Sequence, residues 1–93
     1  MFIGVLQMDL LIRGNTSLKQ KRQVLNSIKD KTRRKFNVSI AEVDNNDLWQ
    51  RATLGVCCAT NDKLHANRVL SEVVNFIEGN FPTELLDYSI EIL

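Results

Sequence analysis

NVSIAEVDNNDLWQRATLGVCCA, residues 37–59, is the stretch whose patterning decides the fold. At its centre stand Asp44, Asn45, Asn46 and Asp47, residue types whose side chains bond nearby backbone and favour turns. Before the turn, a strand of about Asn37 to Val43 directs Val38 and Ile40 inward. After it, a strand of about Trp49 to Ala59 sorts Ala52, Leu54, Val56 and Cys58 onto one face. Thr53, Gly55, Cys57 and Ala59 fall on the other. Period-two alternation on both sides of a polar turn marks two strands in sequence, each with a face to bury.

Working outward, each strand is joined to a helical pattern. On the N-terminal side Ser17 with Gln20 three residues later gives a capping-box start. Leu18, Leu25, Ile28, Thr32 and Phe36 then share one side of a helix reaching about Lys35. On the C-terminal side Thr60, Asn61 and Asp62 cap a helix running to about Glu78. Ala66, Leu70, Val73 and Ile77 form its apolar row, with Gly79 placed as the C′ residue and Pro82 blocking continuation. The outermost segments are again strands. Phe2 to Ile12 turns Leu6, Met8, Leu10 and Ile12 to the core. Thr83 to Leu93 sets Leu86, Tyr88, Ile90 and Ile92 against Asp87, Ser89 and Glu91.

The order βαββαβ is that of the ferredoxin-like α+β plait: a four-stranded antiparallel sheet with two helices on one face. Right-handed crossovers favour strand order 4-1-3-2. Ninety-three residues make one domain, 1–93. A chain this short buries about 60–65% of its unfolded surface, enough for one modest core but not for an enclosed catalytic cleft. Met1 to Ile12 lacks the basic start and small-residue cleavage site of an export signal, and no run approaches membrane-span length, so the expected compartment is cytoplasmic with no membrane partner. Cys57 and Cys58 are adjacent, so they point to opposite faces and serve as reduced, small apolar residues.

Net charge is only +1, but it is unevenly spread. Nine of the twelve basic residues lie between Arg13 and Lys35 beside one acid, Asp30, so that segment carries +8. The rest of the chain holds three bases and ten acids, −7. Within the first helix Arg22, Lys29 and Arg33 recur at i, i+7 and i+11 as a basic stripe flanking the apolar side, with Lys19 farther round. Clustered cations of this kind are what a phosphate backbone requires, although a pI of about 7.8 is lower than that of most nucleic-acid-binding domains.

Three segments carry a family resemblance: Ser17 to Arg22 (SLKQKR), Phe36 to Asp44 (FNVSIAEVD) and Asp47 to Ala52 (DLWQRA), with the closing Ile90 to Leu93 (IEIL). Together they resemble the YlxP-like family, domain-of-unknown-function family 503, along essentially the whole chain. The resemblance implies a bacterial protein with a ferredoxin-like plait. It also implies a setting in translation or ribosome maturation, because the family's genes often neighbour those for translation initiation factor two and ribosome-binding factor A. It supplies no catalytic residues. Cys57 and Cys58 depart from the aliphatic residues expected at that strand position.

The topology gathers Arg13, Lys19, Lys21, Arg22, Glu42, Asp44, Asp47, Trp49, Gln50 and Arg51 at one end of the domain. Lys21 falls on the apolar side of the first helix, where it either snorkels to the rim or forms a structural ion pair with Glu42; a ligand-binding role is a third reading. Trp49 is expected as a plug over the edge of the core; exposed beside Gln50 and Arg51 it would instead suit base stacking or a protein hot spot. The residues assigned to RNA or partner binding are therefore Lys19, Arg22, Lys29, Arg33, Trp49, Gln50 and Arg51.

His65 reads as a surface helix histidine, and no phosphate loop, nucleophile elbow or metal-ligand spacing is present. The expectation is no enzyme, no cofactor and no metal, but a non-catalytic module that binds RNA or a ribonucleoprotein, with ribosomal RNA or a ribosomal subunit as partner. The alternative is a protein-interaction module or homodimer using an open sheet face with Ile3, Val5 and Val43. A small-molecule binding domain is a weaker third.

Overall fold

A computed structural model describes residues 1–93. Six elements follow one another: β1 (Phe2–Ile12), α1 (Leu18–Lys35), β2 (Ser39–Asp44), β3 (Arg51–Thr60), α2 (Lys63–Asn80) and β4 (Thr83–Ile92). The strands form one antiparallel sheet in the order β2-β3-β1-β4, the expected 4-1-3-2 order read from the other edge. The protein is thus a ferredoxin-like α+β plait. α2 packs on β1, β3 and β4, while α1 packs on β2.

The core lies between helices and sheet. Leu6, Met8, Leu10 and Ile12 of β1 meet Ala52, Leu54 and Val56 of β3, with Leu25 and Ile28 from α1 and Leu70, Val73 and Ile77 from α2 above them, all buried. α2 approaches β1 so closely at Gly4 that a Cβ there would stand 2.9 Å from Leu70 Cδ1. Cys58 turns toward that contact, and Cys57 emerges on the opposite face; both thiols are free.

The helix caps are local. Ser17 Oγ accepts from the Gln20 amide at 3.1 Å, while Gln20 Oε1 returns to accept from the Thr16 amide at 3.0 Å. Asp62 caps α2 by accepting from the Leu64 amide at 3.0 Å. α2 continues through Gly79, which is not the C′ residue. It ends at Phe81, whose ring packs edge-on against Phe76 at 5.8 Å, and Asn80 Nδ2 donates to the Phe76 carbonyl. Those contacts hold the last turn until Pro82 stops it.

Two β-bulges alter the expected alternation. In β4 Asp87 faces Asp9 but Leu85 faces Leu10, so Leu86 is the extra residue. Leu85 therefore packs on the core, whereas Leu86 is 46% exposed. Tyr88 keeps the helix-side parity, opposite Met8, yet it too is half exposed at the sheet edge. In β2 Glu42 faces Leu54 and Asp44 faces Thr53, which makes Val43 the extra residue. Its side chain lies over Gly55, where an added Cβ would come within 2.8 Å of Val43 Cγ1.

Candidate nucleic-acid interface

The start of α1 and the β2–β3 connection are joined by one polar network. Lys21 is buried, and its Nζ lies 2.8 Å from Glu42 Oε2. The approach is off the hydrogen-bond direction for that oxygen, so Coulombic attraction carries the pair. A directed bond goes instead to the Asn45 carbonyl at 2.7 Å, offered by a residue in the left-handed region at φ 59°. Asn45 Nδ2 donates to Thr53 Oγ1, and Thr53 Oγ1 donates to Asp9 Oδ1 at 2.8 Å, which links the loop to the open face of the sheet.

Asn15, in the turn between β1 and α1, is the second fastener. It is buried; its Nδ2 donates to the Trp49 carbonyl, and its own carbonyl accepts from Gln50 Nε2 at 3.1 Å. The Ile12 amide adds a bond to the Gln50 carbonyl at 2.7 Å. The connection is therefore held to the β1–α1 turn by its backbone and by the Gln50 side chain, while Leu48 and Trp49 point outward. Trp49 is 52% exposed, and Leu48 beside it is 47% exposed, so Trp49 does not plug the core. No short-range signal marks Asn15 for this role.

Arg22, Lys29 and Arg33 line the flank of α1 next to the edge strand β2. Arg33 fixes the geometry: its Nη2 donates to the Ile40 carbonyl at 2.9 Å. Lys19, Arg22 and Arg33 are exposed and Lys29 is half-buried. The stripe rises about 16 Å along the helix from Arg22 to Arg33. On the other flank, Lys31 lies 5.7 Å from the Phe81 ring centroid and Lys35 lies 5.0 Å from that of Phe76, so these two cations secure the aromatic contact between α1 and α2. Arg51 stands apart from the stripe. It pairs with Leu11 in register and so lies on the open face of the sheet. The candidate residues thus divide among a helix flank (Lys19, Arg22, Lys29, Arg33), a tip (Trp49, Gln50) and the sheet face (Arg51).

That open face has the opposite charge. Asp87 is directly across from Asp9, Glu91 from Val5, and Glu84 from Leu11. Arg13 neutralises Glu84 at 2.7 Å. Ile3, Val5, Ala41, Val43 and Cys57 form a shallow apolar concavity at the β2 side of the same face. His65 is exposed in the first turn of α2, remote from both regions. No three His, Cys, Asp or Glu side chains cluster as metal ligands, and no helix is long and apolar enough to cross a membrane.

These features define a class: a ferredoxin-like plait with a basic helix flank, an acidic open sheet and a pinned loop carrying an exposed tryptophan. The model of the family described as "Protein of unknown function (DUF503)" matches residues 3–90, and the chain belongs to that family. It is 36% identical over 80 residues to "Uncharacterized protein YlxP" of Bacillus subtilis (strain 168), covering 86% of each chain. Among solved structures, "De novo designed protein Foldit4" superposes with a TM-score of 0.56 at 14% identity, covering 100% of this chain and 97% of the other. The structural-genomics protein YJCS superposes with a TM-score of 0.52 at 10% identity, covering 96% of each chain. Both likenesses concern the fold alone.

Proposed function

We propose that this chain is a non-catalytic accessory module that binds RNA, or the RNA surface of a ribonucleoprotein, in ribosome maturation or translation. The observation that carries the reading is the segregation of charge onto opposite faces. The flank of α1 offers Lys19, Arg22, Lys29 and Arg33 with no carboxylate in salt-bridge contact except Asp30, 3.8 Å from Arg33. The open sheet offers Asp9, Asp87 and Glu91 and would repel a phosphate backbone. The central strands there carry Gln7, Thr53 and Gly55 where an RNA-recognition motif stacks bases on aromatics, so the helix flank is the approach for RNA. Trp49 supplies an exposed aromatic at the end where α1 begins. The gene neighbourhood implied by the family resemblance points to the same setting.

The test is co-sedimentation with ribosomal subunits. Replacing Arg22, Lys29 and Arg33 together by glutamine should leave circular dichroism unchanged and weaken association by roughly tenfold or more, because three phosphate contacts are lost. A folded triple variant that pellets with subunits like the wild type counts against the proposal.

A further inference from the structure

The two edges of the sheet are finished differently. At β2 the strand is short, it is bulged at Val43, and Arg33 occupies the Ile40 carbonyl. At β4 the strand is ten residues long, and its direction of bonding can be read from its end. Ile3 and Leu93 exchange both backbone hydrogen bonds, at 3.0 and 2.8 Å. In an antiparallel ladder such pairs alternate with pairs that make none. Glu91, Ser89 and Asp87 therefore bond inward to β1, and Ile92, Ile90 and Tyr88 direct their N–H and C=O groups outward. Only the Tyr88 amide has a substitute partner, Asp87 Oδ1 at 2.9 Å. The outward groups of Ile90 and Ile92 have none within the chain.

The side chains along this edge are sorted. Toward the helix layer stand Tyr88, half exposed, and Ile90 and Ile92, half-buried. Toward the open face stand Asp87 and Glu91, with Asp9 one strand further in. We infer that the β4 edge is a strand-addition site for an extended polypeptide segment alternating apolar and basic residues. Backbone pairing with Tyr88–Ile92 would supply affinity, the apolar residues would cover Tyr88, Ile90 and Ile92, and the lysines or arginines would lie beside Asp87 and Glu91. The charge row also decides against a second copy of this chain. Antiparallel pairing of β4 with β4 would bring the two acidic rows together, and like charges directly opposite destabilise a sheet. This site is independent of the RNA reading and lies on the other side of the molecule from the α1 flank.

The experiment uses the full chain and a short synthetic peptide alternating lysine and valine, with a control of equal composition that places lysines and valines in separate blocks. Binding is followed by NMR with amide hydrogen exchange. The alternating peptide should bind, and it should slow exchange at Ile90 and Ile92 while leaving Ser89 and Glu91, already bonded to β1, unchanged. Asp87→Asn combined with Glu91→Gln should weaken binding by about three- to tenfold, the sum of two cross-strand charge pairs. Equal binding by the block peptide, or binding without protection at Ile90 and Ile92, would overturn strand addition. Protection of those amides by self-association of the peptide-free chain would give the edge to a second copy instead.

Discussion

Lys21 occupies a position on the inner side of α1 that would otherwise suit a leucine. Its ammonium is tolerated because Glu42 and the Asn45 carbonyl both reach it. Breaking a buried pair by removing one partner strands the other charge, whereas removing both is far less costly. Lys21→Met and Glu42→Gln should each destabilise by about 1–3 kcal/mol, the first leaving Glu42, the second the more deeply buried Lys21, without its counter-charge. The double variant should be more stable than the sum of the two by roughly 0.5–3 kcal/mol in denaturant unfolding. Strict additivity would show that the two side chains do not act together. The sequence brought the two residues to one end by helical periodicity, strand parity and topology but left the pair as one alternative beside a lysine snorkelling to the rim, and the burial of Lys21 against Glu42 decides for the pair. The role of Asn15 was not legible, because its value depends on how the Trp49 loop passes over the start of α1, and no local pattern encodes that path. The exposure of Trp49 has the same origin: the backbone bond to Asn15 decides which way the ring must face.

Elements were legible to the extent that their periodicity was unbroken. β1 and β3 pair along their length without a register shift, and their helix-side faces follow directly, although Thr53 on the open face of β3 is buried as well. β4 contains Leu85 and Leu86 in succession, a pair that fits either parity, and only the register against β1 shows that the bulge turns Leu85 inward. The assignment has a mutational signature. Leu85→Ala should cost about 1–3 kcal/mol, less than a fully buried leucine because Leu85 is partly exposed, while Leu86→Ala should cost under about 0.5 kcal/mol. Thermal or urea unfolding of the two variants separates the registers, and a reversed order would place Leu86 in the core. At the end of α2, glycine suggested a stop that the chain does not use. The Phe76–Phe81 contact and the Asn80 side chain extend the helix one residue past Gly79. A terminator chosen by tertiary packing cannot be read from capping chemistry alone.

For the whole molecule, near-neutral net charge conceals a division into two unlike sides. The sequence contains that division as a basic segment from Arg13 to Lys35 and an acidic remainder, but the fold determines which charges are free to act. Lys21, Lys31 and Lys35 are engaged within the protein by Glu42 and by aromatic rings, and Arg13 is engaged by Glu84. What remains on the flank is Lys19, Arg22 and Lys29, with Arg33 exposed but partly engaged by the Ile40 carbonyl and Asp30, fewer cations than the segment total suggests and aligned along one helix. The two proposed contacts, RNA on the α1 flank and a basic polypeptide segment at the β4 edge, lie on opposite sides of the plait and would not compete for space. The claim that α1 binds a phosphate backbone is tested most directly by the salt dependence of affinity for a fluorescently labelled single-stranded RNA, measured by anisotropy. Three to four phosphate contacts predict a log–log slope of about −2 to −3, falling toward zero when Arg22, Lys29 and Arg33 are replaced by glutamine. An affinity that is flat with salt, or a slope that survives the triple replacement, would contradict it.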